Sequence, residues 1–136
     1  MILPKWLLVS CLVLSLVSAF VAFCVVVAHS ASPTGYAKTT AYCAGCDHSG
    51  RTASGKKLSP KYCAADPKYW NPGTVIRLGA PLNLTVQIED TGRLVKGKGR
   101  FDIFKAGSCK NKSGCYGFSN PTVKYTVIKT SSRRWK

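Results

Sequence analysis

The stretch that decides the fold runs over residues 84–104, LTVQIEDTGRLVKGKGRFDIF. Two segments of it, 84–90 and 100–104, are rich in β-branched and aromatic residues, which is the composition of short strands. The loop between them holds three glycines and three cationic side chains, as expected of a connection between strands. Each predicted strand also carries an aspartate, Asp90 at the end of the first and Asp102 inside the second.

The same alternation of short apolar runs and turn residues continues along the chain after residue 30. No apolar pattern with a period of 3.6 residues is long enough there to predict a regular helix, and the best candidate is a short turn over 115–120. The predicted strands are 37–43, 62–65, 74–78, 84–90, 100–104 and 123–129. Short strands at this spacing predict an all-β domain, a small barrel or a sandwich, and a barrel would leave no open edge.

The N-terminal segment differs sharply from the rest of the chain. An uncharged run of 22 residues occupies positions 7–28, whereas all five acidic residues and nineteen of the twenty basic ones follow His29. A signal peptide has an apolar core of about 7–15 residues, and a membrane-spanning helix needs about 20. We therefore predict one N-terminal helix over 1–29, either a retained membrane anchor, which its length favours, or a cleaved signal peptide. The rest is predicted to be a linker (30–35), one folded domain (36–130) and a frayed basic tail (131–136).

The predicted domain contains five cysteines, which are Cys43, Cys46, Cys63, Cys109 and Cys115. In an exported chain this number indicates two disulfides and one spare thiol. A zinc site is the alternative, because Cys43 and Cys46 have the spacing of zinc ligands and His48 is close in sequence. No second Cys-x2-Cys pair accompanies them, so we expect disulfides, no metal and a location outside the cytoplasm.

The formal net charge of the chain is +15, which predicts attraction to polyanions such as nucleic acid, anionic lipid or anionic wall polymers. The basic residues are scattered, without a dense basic helix or repeated stacking aromatics. We therefore do not predict a dedicated nucleic-acid module. A solvated basic surface that favours solubility or retention in a cell wall is the simpler interpretation.

Three of the five acidic residues occupy settings that solubility does not explain. Asp66 and Asp90 end predicted strands, where aspartate side chains commonly cap backbone donors. Asp102 lies inside a strand between apolar neighbours. It is therefore either an outward-facing residue or a partly desolvated carboxyl group with a raised pKa, suited to donating a proton.

Seven short motifs follow one another along the domain, namely TTAYC (39–43), TASG (52–55), ADP (65–67), PGT (72–74), EDTG (89–92), KG (96–97) and FDIF (101–104). An isolated Asp-Thr-Gly would be weak evidence, since aspartic proteases also use it. In this order and spacing the motifs resemble the 3D domain. That family is named after three aspartates and includes the catalytic barrel of membrane-bound lytic transglycosylase A and muralytic proteins of spore formers. The resemblance implies a six-stranded double-psi β-barrel.

The resemblance also implies that Asp66, Asp90 and Asp102 meet in a groove, with Asp102 as the catalytic acid and base. The chain departs from the family at Arg93, where a second glycine is usual, and by one additional residue in 98–100. Six further residues could contact sugar, and each could equally serve the core or a turn. They are Tyr42, Thr52, Thr91, Gly92, Lys96 and Gly97.

The activity implied by the resemblance is that of a peptidoglycan lytic transglycosylase without a cofactor. Such an enzyme breaks the β-1,4 bond between MurNAc and GlcNAc and leaves a 1,6-anhydro end. Two alternatives stay open: a non-catalytic polysaccharide-binding module, and a cationic protein that acts through charge on wall polymers or membrane. The expected partners are peptidoglycan strands, anionic wall polymers and, through the N-terminal helix, a membrane, and we expect a monomer.

Overall fold

The computed structural model describes residues 32–44, 50–107, 109–111, 114–115 and 118–136. Its eight strands are β1 (Thr34–Tyr42), β2 (Tyr62–Ala65), β3 (Val75–Leu78), β4 (Leu84–Asp90), β5 (Arg100–Phe104), β6 (Cys109–Asn111), β7 (Gly114–Cys115) and β8 (Thr122–Lys129). The predicted N-terminal membrane or signal helix, 1–29, lies outside the described residues. In the described part, no helix has the length and apolar character that crossing a membrane requires.

Six of the strands close into a barrel in the order β1–β5–β2–β4–β3–β8. Strand β1 is parallel to β5 and β2 is parallel to β4, while the other four pairings are antiparallel. Closure gives every barrel strand two neighbours, so the wall has no open edge. The prediction of an all-β, six-stranded barrel is confirmed, and this strand arrangement fits a double-psi β-barrel.

The core lies inside the barrel and is built from alternate residues of its strands. The rings of Trp70, Phe101 and Tyr125 pack against one another with centroids 5.4–5.7 Å apart. Phe101 and Ile103 are both buried in this core. Because side chains alternate along a strand, Asp102 between them projects from the opposite, outer face of the barrel wall.

The barrel begins earlier than the sequence predicts. Thr34 and Gly35, placed in the predicted linker, are part of β1 and pair with Thr126 and Tyr125 of β8. A Cβ atom on Gly35 would lie only 2.8 Å from the hydroxyl oxygen of Tyr125. The glycine that looks like a linker residue therefore lets the two strands pack against a core tyrosine.

Strands β6 and β7 form a separate two-stranded ribbon that the sequence did not predict. The best helix candidate in the sequence, the short turn over 115–120, is not helical at its described residues, since Cys115 lies in β7 and residues 118–120 have no regular structure. Serine, asparagine and glycine are weak helix formers, and one isolated turn gains little from its own hydrogen bonds. Pairing with β6 supplies partners that such a turn lacks.

The predicted frayed tail, 131–136, instead packs on the barrel. The indole nitrogen of Trp135 donates to the carbonyl oxygen of Trp70 at 2.8 Å, and the side chain of Asn71 donates to the carbonyl oxygen of Ser131 at 3.0 Å. Arg133 forms an ion pair with Glu89 at 2.8 Å. A basic tail looks solvated in sequence because none of these long-range partners is visible there.

Candidate active site

A row of four residues crosses four neighbouring strands on the outer face of the barrel. In the strand pairing, Thr40 of β1 lies opposite Asp102 of β5, and Asp102 lies opposite Ala64 of β2. Ala64 in turn lies opposite Asp90 of β4. Directly opposed residues project from the same face of a sheet, so the two aspartates flank Ala64. Ala64 itself is buried.

Asp90 enters this row because the pairing of β2 with β4 is irregular. Cys63 lies opposite Ile88, but the next residue, Ala64, lies opposite Asp90 and not opposite Glu89. With a continuous register Glu89 would occupy that place, because a shift by one residue exchanges the two faces of a strand. The bulge therefore brings Asp90 beside Asp102 and directs Glu89 elsewhere.

Asp90 is held by three hydrogen-bond donors. The hydroxyl of Tyr42 donates to its Oδ2 at 2.8 Å, while the backbone N–H groups of Ala53 and Thr91 donate to its Oδ1 at 2.8 and 2.9 Å. Burial, reinforced by the charge and hydrogen bond of Asp90, raises the pKa of Tyr42 far above its usual value. Tyr42 therefore stays protonated and remains a donor to Asp90.

Asp102 is half-buried and accepts a 2.7 Å hydrogen bond from the hydroxyl of Thr40. Burial raises the pKa of Asp102, and the negative charge of Asp90 adds to the rise. The hydrogen bond from Thr40 and the positive charge of Arg100 oppose it, but the net pKa is raised. Asp102 thus holds a proton more readily than a free aspartate.

Asp66 lies in a different set of contacts. Its carboxylate accepts hydrogen bonds from the backbone N–H groups of Gly97 at 2.7 Å and Lys68 at 3.1 Å, and these bonds lower its pKa. Nearby, the indole of Trp70 donates to the carbonyl oxygen of Lys98 at 3.0 Å. Within the described residues, no hydrogen bond joins Asp66 to either of the other aspartates. It fastens the turn after β2 to the loop before β5.

Three of the predicted sugar-contacting residues border the two paired aspartates. Tyr42 and Thr91 both donate to Asp90, and Gly92 follows on the same loop. All three are partly buried. A Cβ atom on Gly92 would lie 2.6 Å from a methyl group of Val95, so a side chain at this position would displace Val95 or the loop.

The other three predicted residues make their described hydrogen bonds with groups other than Asp90 and Asp102. Thr52 is buried and accepts a hydrogen bond from the backbone N–H of Lys56 at 3.1 Å, which closes a turn. Gly97 holds Asp66, and Lys96 is exposed beside it. Their contacts in the structure stabilise loops.

Two groups important to the site were not singled out from the sequence. Thr40 lies in the TTAYC motif. Residues two apart on a strand share a face, so its position two residues before Tyr42 could have placed it on the same face as Tyr42. Arg100 begins β5, and its Nε atom is buried and has no hydrogen-bond partner among the described residues. Its positive charge acts on Asp102 from two residues away.

The structure distinguishes the bonding states of two cysteines. Cys43 is disulfide-bonded, whereas Cys63 is a free, fully buried thiol. Burial raises the pKa of Cys63, with further contributions from the charges of Asp102 and Asp90. The prediction of two disulfides in total stays a prediction. In the described ranges no three His, Cys, Asp or Glu residues are grouped so that they could hold a metal ion, and Cys46 and His48 lie outside those ranges.

Comparisons with known proteins add little to this geometry. No model of a known protein family matches the chain. No curated protein matches it either. Among solved structures, the crystal structure of MltA from E. coli is similar, with 23% sequence identity and a TM-score of 0.43. The similarity covers 60% of this chain and 28% of that one, so the chain spans less than a third of its length.

Proposed function

We propose that the protein is a peptidoglycan lytic transglycosylase that cleaves the β-1,4 bond between MurNAc and GlcNAc. The observation that supports this is the unequal pair of carboxyl groups. The pKa of Asp102 is raised by burial, while Asp90 beside it is fixed by three donors. Cleavage of a glycosidic bond needs an acid for the leaving oxygen and negative charge near the sugar that becomes cationic.

In this proposal Asp102 donates its proton to the glycosidic oxygen as the bond from that oxygen to C1 of MurNAc breaks. The 6-hydroxyl of the same sugar then bonds to C1 and gives its proton to Asp102. This closes the 1,6-anhydro ring, restores the acid and consumes no water. Asp90 stabilises the positive charge that develops on the sugar. Thr40 and Arg100 stabilise Asp102 while it is ionised, between giving up its proton and regaining one.

Tyr42, Thr91 and Gly92 are proposed to line the glycan groove, since they border the two aspartates and are only partly buried. The phenol ring of Tyr42 offers a face for a pyranose ring, and Thr91 a hydroxyl for sugar oxygens. The net charge of +15 would hold the protein near anionic wall polymers.

We also propose that the domain works outside the cytoplasm, anchored by the N-terminal helix or secreted after its cleavage. The uncharged run over 7–28 supports export. The disulfide at Cys43 is in keeping with it, because disulfides persist in oxidising compartments.

Incubation of the protein with murein, followed by mass analysis of the soluble products, tests this function. A transglycosylase releases fragments with anhydro ends, which are one water lighter than hydrolysed fragments. Pelleting with murein without release of fragments would indicate a polysaccharide-binding module. Release of the bound protein by moderate salt alone would indicate a purely cationic interaction.

A further inference from the structure

A further carboxylate, next to Asp90 in the chain, has its own set of hydroxyl and cationic partners. Glu89 precedes Asp90 on β4 and is fully buried. It accepts hydrogen bonds from Ser54 at 2.6 Å, from Lys56 at 2.7 Å and from Arg133 at 2.8 and 3.2 Å. Burial by itself would raise the pKa of Glu89, but these bonds outweigh it and the net pKa is lowered. Glu89 is therefore a stable anion that three side chains share.

Two of these partners belong to one tight turn. Thr52 donates its backbone N–H to the carbonyl oxygen of Lys56, and Gly55 donates to that of Thr52, both at 2.8 Å. Ser54 is bound to Glu89 twice, because its backbone N–H also donates to the carbonyl oxygen of Glu89 at 3.1 Å. The turn over 52–56 is thus fastened to Glu89 by side chain and backbone.

The residue that this turn presents to the catalytic pair is Ala53. Its backbone N–H donates to Oδ1 of Asp90 at 2.8 Å, and its neighbour Ser54 is the residue bound to Glu89. A displacement of Ser54 would therefore move the Ala53 donor. The position of one catalytic carboxylate depends on the contacts of the residue that precedes it.

The third partner comes from the C-terminal strap, residues 131–136. Trp135 and Asn71 fasten this strap to the barrel, and Arg133 reaches both carboxylate oxygens of Glu89. A Cβ atom on Gly73 would lie 3.2 Å from the guanidinium of Arg133 and 2.9 Å from the hydroxyl oxygen of Ser131. The absence of a side chain at Gly73 therefore gives the strap its path.

We propose that Glu89 is a positioning residue for the catalytic pair and that Arg133 holds it there from the C-terminal strap. The chain of contacts runs from Arg133 to Glu89 and from Glu89 to Ser54. Ala53, the chain neighbour of Ser54, then contacts Asp90. Both steps of the turnover require Asp90 to keep its place beside Asp102. The inference rests on the proposed function for its kinetic consequence, but its structural part does not depend on catalysis.

The test compares Arg133→Ala with two matched variants of the full-length chain in detergent. Arg133→Lys keeps the charge but loses the two-oxygen contact, and Arg134→Ala removes the same charge from the adjacent exposed position. Ser54→Ala serves as a second variant because it removes a bond to Glu89 without exposing a buried charge. The readouts are amide hydrogen exchange at Ala53 by NMR, and kcat and KM on soluble glycan strands.

We expect Arg133→Ala and Ser54→Ala each to speed exchange at Ala53 by roughly tenfold, as loss of about one hydrogen bond to a charged group would do. The kcat should fall by a similar factor while KM stays unchanged, because Asp90 and not substrate binding is disturbed. Arg133→Lys should recover part of both effects, and Arg134→Ala should change neither.

Unchanged exchange at Ala53 in Arg133→Ala would overturn the proposal. A raised KM with unchanged kcat would also overturn it, since the strap would then be binding substrate. If the unaltered protein cleaves no glycan but exchange at Ala53 still responds to Arg133→Ala, the positioning role stands and the proposed activity is wrong.

Discussion

Thr40 and Asp102 lie directly opposite each other in the parallel pairing of β1 with β5, and the hydroxyl of Thr40 donates to Asp102 at 2.7 Å. This bond favours the ionised form of the carboxyl group, so it opposes the rise in pKa that burial causes. Asp90 acts in the opposite direction through its negative charge. Burial therefore dominates the pKa of Asp102, which Thr40 and the positive charge of Arg100 lower and Asp90 raises.

Replacement of Thr40 by valine should move the alkaline limb of the pH–activity profile to higher pH. Valine keeps the branched shape but cannot donate, so the ionised form of Asp102 loses a stabilising bond and its pKa rises further. The measurement is the pH dependence of kcat/KM on soluble glycan strands. A limb that moves to lower pH would contradict the role given to Thr40.

Replacement of Asp90 by asparagine should move the same limb to lower pH. The change removes a negative charge that raises the pKa of Asp102, but burial, the larger cause, remains. The limb should therefore shift only part of the way toward the ordinary aspartate value of about 3.9. A limb that does not move would mean that the two carboxyl groups are not coupled.

Asp66 should contribute to stability and only indirectly to catalysis. Its pKa is lowered in the folded state by hydrogen bonds from Gly97 and Lys68. A lowered folded pKa stabilises the fold above the unfolded value of about 3.9, and this contribution is lost as pH falls through the folded pKa. Asp66→Asn should therefore lower the thermal midpoint at neutral pH, and the difference should vanish in acid. Equal midpoints at neutral pH would contradict this role.

Cys63 should resist alkylation while the barrel is folded. It is a free thiol, fully buried, and its raised pKa leaves little thiolate to react. Treatment with iodoacetamide at about pH 8 should modify Cys63 only after unfolding in denaturant. Peptide mapping by mass spectrometry locates the modified residue. Modification in the native protein at the rate of a free thiol would contradict the buried environment.

Much of the fold was predictable from the sequence because it depends on local composition. Runs of β-branched and aromatic residues separated by turn residues predicted the six barrel strands closely, including the exact bounds of β2, β4 and β5. The ribbon of β6 and β7 was missed because its short polar strands have no apolar alternation. The packed strap was missed because its partners, Trp70 and Glu89, are distant in sequence.

The site was less predictable, because it depends on strand register. The sequence placed three aspartates near one another by resemblance, but only pairing shows that Asp90 and Asp102 flank Ala64. A bulge of one residue decides whether Asp90 or Glu89 occupies that place, and no local pattern marks it. The same bulge separates Asp90, which we propose acts in catalysis, from Glu89, which we propose positions it.

The most direct test of the account replaces Asp102 by asparagine and measures the release of anhydro-muropeptides from murein by mass spectrometry. The amide keeps the shape of the side chain but cannot supply the proton, so the rate should fall by about 10²–10⁴-fold. The raised pKa of Asp102 means that its ionised form disfavours folding at neutral pH, so the thermal midpoint of the variant should not fall. Anhydro products released by Asp102→Asn at the rate of the unaltered protein would contradict the central claim that Asp102 is the acid.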